Sequence, residues 1–120
     1  MHILVVDDEP AIRLLCRVNL QADGMTVEEA WDSDSAMAVA RARRPDAVLL
    51  DVMLPGDDGF AVAARLRAEP GLESVPIMLL TARADLDGSE LVRRSGAAGV
   101  LTKPFNPVDL SERLRALIRP

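Results

Sequence analysis

Five short segments read as strands, the mainly apolar 2–6, 47–50, 75–80 and 99–102 and the more polar 25–30 (MTVEEA), and they are separated by stretches with helical apolar spacing. Runs such as HILVV and AVLL are apolar on both faces, as strands buried inside a parallel sheet must be. Strands alternating with helices imply a parallel sheet covered on both sides. Right-handed crossovers restrict the connections further. The resulting expectation is an α/β fold, a (βα)5 flavodoxin-like three-layer sandwich with strand order 2-1-3-4-5. That order brings the ends of strands 1, 3, 4 and 5 to one crevice.

The helical stretches carry their own punctuation. Residues 10–22 begin with Pro10, suited to a first turn, and place Ile12, Leu15, Cys16, Val18 and Leu20 inward. Gly24 is a stop signal. Residues 33–43 form a second helix capped by Ser33 or Asp34, with Ala36, Met37, Val39 and Ala40 inward. A third helix, about 58–68, buries Val62, Ala63 and Leu66. The fourth, near 84–95, carries Gly88 inside it, at a cost of about 1 kcal/mol relative to Ala. The last, 107–118, starts at Pro107 and turns Val108, Leu110, Leu114, Leu117 and Ile118 inward.

The chain has 120 residues and a net charge of -5. That length suits one domain, read here as 1–120, and a chain of this size buries roughly two thirds of its unfolded surface. The acidic balance argues against direct nucleic-acid or membrane-surface binding. A single cysteine, Cys16, permits no internal disulfide and fits a reducing cytoplasm. No apolar run approaches the roughly 20 residues of a membrane helix.

The strand ends carry the chemistry. Asp7-Asp8 follows the first run, Asp51 ends the third, Thr81 ends the fourth and Lys103-Pro104 follows the fifth. Three carboxylates in one crevice repel. At about 4 Å and an effective dielectric near 20, each pair costs about 4 kcal/mol. A hard divalent cation such as Mg2+ removes that cost and favours oxygen ligands. Asp51 is the candidate nucleophile, since a carboxylate can attack phosphorus and form an acyl phosphate. Lys103 is a compact ammonium suited to a phosphate. Thr81 offers a hydroxyl to a phosphoryl oxygen, and Ala82 leaves room beside it. Pro104 suits a tight turn that admits a cis bond. Each of these residues alone is an ordinary loop, cap or strand-end residue; their convergence points to phosphoryl chemistry.

Other residues read as structure. Cys16 belongs to the core, His2 opens the first strand, and Trp31 packs at the end of the second. Asp57 and Asp58 form a solvated turn and helix cap.

With LVVDDEP (4–10), LLDVMLPGDDG (49–59), LLTA (79–82) and LTKPFNP (101–107) in this order, the chain resembles the CheY-like receiver domain of two-component response regulators over essentially its whole length. The resemblance implies that Asp51 accepts a phosphoryl group from a phosphohistidine on a sensor kinase or phosphotransfer protein. It implies Asp8 as a direct Mg2+ ligand, Asp7 as a ligand through water and the Met53 carbonyl as a further ligand. It implies Thr81 as the switch hydroxyl, Lys103 as the phosphoryl partner and Lys103-Pro104 as a cis peptide. Such domains catalyse only their own phosphorylation and dephosphorylation, and the side chains of Met53 and Arg83 stand where they could shape water access.

Two departures bear on signal transmission. Val100 occupies a switch position that often holds Tyr or Phe, and valine has neither ring nor hydroxyl. Ala98-Gly99 replaces an acidic pair common in receivers that dimerise. The last helix nevertheless resembles those of winged-helix transcription regulators. The implied partners are therefore the kinase, an output domain or target protein, and at most a weak homodimer through helix 4, strand 5 and helix 5. Two alternatives stand beside this reading. An aspartyl-phosphate phosphatase of the haloacid-dehalogenase type would carry a second acid where Met53 stands. A phosphorylation-independent pseudo-receiver would lack an acid, the threonine or the lysine.

Overall fold

The first strand, β1 (His2–Val6), is buried along all five residues, as are β3 (Ala47–Asp51) and β4 (Ile77–Thr81). The computed structural model describes residues 1–54, 57–82 and 88–118, without the side chains of Asp57 and Gly88. Pro55, Gly56 and Arg83 lie outside the described residues, as does the expected start of the fourth helix. The sheet is completed by β2 (Thr26–Ala30) and β5 (Gly99–Thr102), in the order β2-β1-β3-β4-β5 with every pairing parallel. This is the flavodoxin-like order that the alternation of strands and helices predicts.

Strand alternation divides the core into two layers. Leu4, Val6, Val48, Leu50, Ile77 and Leu79 face α2 (Ser33–Ala42), α3 (Gly59–Ala68) and α4 (Gly88–Ser95). Ile3, Val5, Ala47, Leu49, Met78 and Leu80 face α1 (Pro10–Ala22) and α5 (Leu110–Ile118). Burying each large aliphatic side chain contributes about 1.5–3 kcal/mol relative to exposure. The central strands can therefore be apolar throughout, because neither face meets water. The edge strand β2 keeps Glu28 and Glu29 partly exposed, and Glu29 pairs with Arg13 and Arg17 of α1.

Local chemistry fixes the helix ends. Pro10 takes the first position of α1, and Gly24 beyond its C-terminus has φ 84°. That conformation has no steric cost for glycine. The cap of α2 is Asp32, not Ser33 or Asp34. Its carboxylate accepts the Ser35 N–H at 2.8 Å while the Ser35 hydroxyl oxygen accepts the Asp32 N–H at 3.1 Å. Asp58 caps α3 by accepting the Ala61 N–H at 2.8 Å. Pro107–Asp109 forms a 3-10 turn before α5.

Four apolar residues depart from their expected places. Leu15 and Val18 are exposed, because the face of α1 that meets the sheet is set by Cys16 and Leu20. Val108 is exposed because the 3-10 turn removes it from the phase of the α5 stripe. Trp31 is 55% exposed beyond the end of β2, rather than packed there.

Candidate functional site

Asp7 leaves the end of β1 with its N–H donating to the Ala30 carbonyl at 3.1 Å. Its side chain is fully buried, and Oδ1 accepts the Glu9 N–H at 2.9 Å. Arg13 donates to the Asp7 carbonyl at 2.8 Å and to Glu29 at 3.2 Å, which ties α1 to this corner. Asp8, one residue on, is exposed. Asp51 is the last residue of β3 and only 4% exposed, with Oδ1 accepting the Met53 N–H at 3.1 Å. One carboxylate oxygen from each of Asp7, Asp8 and Asp51 lies within 4.8 Å of the others.

Lys103 comes from the opposite side of the crevice. Its Nζ stands 2.9 Å from Asp7 Oδ2, 3.5 Å from Glu9 Oε1 and 3.6 Å from Asp51 Oδ2. Its N–H donates to the Thr81 carbonyl at 2.6 Å, and the peptide bond to Pro104 is cis. Thr81 is buried at the end of β4, where it registers with Thr102, while Asp51 registers with the preceding Leu80. The parallel register thus places Asp51, Thr81 and Lys103 at the same end of three neighbouring strands.

The electrostatics follow from this crowding. Burial pushes the Asp51 carboxyl up to about 6; the Met53 N–H and Lys103 oppose the rise, while Asp7 and Asp8 add to it. Burial pulls Lys103 down, but the hydrogen bond to Asp7 and the charges of Asp7, Asp51 and Glu9 outweigh it. Its pKa lies above the ordinary lysine value. Three carboxylates facing one ammonium leave a site short of positive charge, and this all-oxygen donor set suits a hard divalent cation.

Two neighbours of the site were not evident in the sequence. Gly59, at the start of α3, donates its N–H to the Val52 carbonyl at 2.6 Å. A Cβ there would stand 2.6 Å from Val52 Cα and 2.7 Å from the Asp51 carbonyl oxygen. The only sequence signal is a glycine at a helix start, where one is not required. Glu9 is the other. It is the N-cap residue of α1 but its side chain makes no capping bond, and it reaches Lys103 instead. Met53 turns its side chain outward, 65% exposed. Val100 packs against the core layer of α2, α3 and α4 and lines a surface hollow of about 370 Å3 with Phe105, Asn106, Asp109 and Arg113.

The family described as the response regulator receiver domain matches residues 3–115. The chain belongs to this receiver family. Among its relatives, the DNA-binding dual master transcriptional regulator RpaA of Synechocystis is 40% identical over 118 residues, covering 98% of this chain and 49% of that protein. The phosphate regulon transcriptional regulatory protein PhoB of Pseudomonas aeruginosa is 41% identical over 117 residues, covering 98% of this chain and 51% of that protein. The receiver therefore spans about half the length of these curated relatives. Crystal structures agree with the fold. The chemotaxis protein CheY4 of Vibrio cholerae superposes with a TM-score of 0.89 at 34% identity, over 97% of each chain. The receiver domain of NtrX from Brucella abortus gives 0.86 at 31% identity, again over 97% of each. Receivers are regulators rather than conventional enzymes, and the two-component role accounts for an acidic crevice in a domain of this size. Among the described residues, no helix is long and apolar enough to cross a membrane.

Proposed function

We propose that residues 1–120 act as a single cytoplasmic phosphoacceptor receiver, and that Asp51 takes a phosphoryl group from a phosphohistidine on a sensor kinase or phosphotransfer protein. The observation that carries this reading is the convergence of Asp7, Asp8 and Asp51 with Lys103 in one crevice. The donor set fits Mg2+, with the Asp8 and Asp51 carboxylates and the Met53 carbonyl as ligands and Asp7 acting through water. Bound Mg2+ supplies neutralising charge for the carboxylates and the phosphoryl oxygens.

A carboxylate oxygen of Asp51 attacks phosphorus, and the bond from phosphorus to the donor imidazole breaks. The imidazole keeps the electron pair and takes up a proton. The Lys103 ammonium pairs with a phosphoryl oxygen, and the Thr81 hydroxyl donates to another. Water later attacks the acyl phosphate, returning the Asp51 carboxylate and inorganic phosphate. The exposed side chain of Met53, two residues from Asp51, tunes that rate. The new contacts at Thr81 and Lys103 bias α4, β5 and α5 between two arrangements. Val100 leaves that switch without an aromatic rotamer, so Thr81 carries it. The controlled output is a further domain or a target protein; the curated relatives named above are transcriptional regulators. Self-association is at most a weak dimer through α4, β5 and α5.

Intact mass spectrometry with acetyl phosphate and Mg2+ tests the reading. A single phosphoryl adduct supports it, provided that the adduct disappears in Asp51→Asn. Equal partner affinity with and without a phosphoryl mimic would favour an interaction module instead.

A further inference from the structure

Lys103 is the single lysine among 14 basic residues, so the crevice draws its one ammonium side chain from the whole sequence. That ammonium is 13% exposed and has three acidic neighbours among the described residues. Two are positions the reading above already uses. The third is Glu9, whose backbone is pinned. Its N–H donates to Asp7 Oδ1 at 2.9 Å, and its carbonyl accepts the N–H groups of Ile12 and Arg13 at 3.1 Å. Its side chain is 59% exposed at the mouth of the crevice. An N-cap position favours Ser, Thr, Asp or Asn, whose side chains satisfy a free N–H of the first turn. Glu9 makes no such bond and lies 3.5 Å from Lys103 Nζ. The helix start thus lacks a cap that a shorter side chain would supply, and the carboxylate faces the lysine.

We infer that Glu9 is a positioning residue: it holds the Lys103 ammonium toward Asp7 and competes with an incoming phosphoryl group for it. The inference rests on the phosphoacceptor reading of Asp51. In the resting site Lys103 is 2.9 Å from Asp7 and 3.6 Å from Asp51, so its closest pairing is with Asp7 and a phosphoryl oxygen on Asp51 competes for the same ammonium. Glu9 adds to that competition by attraction to the ammonium, and it repels the arriving anion at the mouth. Its partial exposure keeps the effect modest and sensitive to salt.

The experiment compares the wild-type chain, Glu9→Gln and Glu112→Gln, the last removing the same charge from an exposed position on α5. Two quantities are read: the rate of adduct formation from acetyl phosphate with Mg2+ at low salt, and the single lysine side-chain carbon resonance of the metal-free protein. Glu9→Gln is expected to raise the rate about two- to five-fold, as an exposed ion pair allows, and to move the Lys103 resonance. Glu112→Gln is expected to do neither. Equal rates in Glu9→Gln and wild type, an equal gain in Glu112→Gln, or an unmoved lysine resonance would overturn the inference. No adduct on the wild-type chain would instead overturn the phosphoacceptor reading, and this inference with it.

Discussion

The ammonium of Lys103 lies 2.9 Å from Asp7 Oδ2, inside hydrogen-bond range, and 3.6 Å from Asp51 Oδ2, outside it. In this resting geometry the lysine offsets the fully buried Asp7, and Asp51 is left as the less compensated carboxylate. Burial raises its pKa, with the charges of Asp7 and Asp8 adding to the rise, and the Met53 N–H and Lys103 oppose it only in part.

Lys103→Met removes the ammonium from a pair in which Asp7 is fully buried and Lys103 is 13% exposed. Breaking a buried pair on one side typically costs about 3–5 kcal/mol, because the remaining charge is uncompensated. Urea denaturation without Mg2+ is expected to show a loss of that order, and Mg2+ is expected to recover part of it. A loss below about 1 kcal/mol would place the pair among weak surface contacts.

The pH dependence of the metal-free protein follows from Asp51. Its folded pKa, about 6, lies above the ordinary 3.8, so the folded chain holds this proton to higher pH than the unfolded chain. The associated stability is present below about pH 4 and is lost as pH rises through about 6. The difference corresponds to roughly 3 kcal/mol. Denaturation in a chelator across pH 4–8 is expected to show this fall, and Asp51→Asn is expected to flatten it and to be more stable than wild type at pH 7.

Gly59→Ala tests how closely α3 must approach the site. The added Cβ meets backbone atoms of Asp51 and Val52, which cannot rotate away as a side chain could. The expected cost is about 1–3 kcal/mol of stability, as for overpacked interiors. The same displacement is expected to slow adduct formation on Asp51. Wild-type stability and rate together would show that the loop yields at no cost.

Cys16 reports on the core beneath α1. It is fully buried, and burial, with the charge of Asp7 adding, pushes its thiol up to about 12. A thiol reagent at pH 8 is therefore expected to react only as fast as the chain opens, with full reactivity in denaturant. Rapid labelling of the native protein would mean that α1 separates from the sheet.

The sequence discloses the sheet well for a physical reason. The strands β1, β3 and β4 are buried on both sides, so their apolar runs are continuous and end at the charged crevice. The acids were legible because they stand at the ends of such runs, and Lys103 because it directly follows the shorter, partly exposed β5. Helix α1 was harder, because Leu14, Leu15 and Val18 make it apolar around much of its circumference, and periodicity does not single out Cys16 and Leu20. In the segment Asp32-Ser33-Asp34-Ser35 every residue can cap a helix, and only the geometry selects Asp32 and Ser35. Glu9 and Gly59 were missed because their importance lies in long-range contact: one meets a lysine from the far end of the chain, and the other meets the backbone next to Asp51.

The most direct test of the central claim is the intact mass of the wild-type chain and of Asp51→Asn, each with and without acetyl phosphate and Mg2+. The account predicts one phosphoryl adduct on the wild-type chain, present only when both reagents are added and absent from Asp51→Asn. A folded wild-type chain that binds Mg2+ and gains no mass, or an adduct that persists in Asp51→Asn, would contradict it.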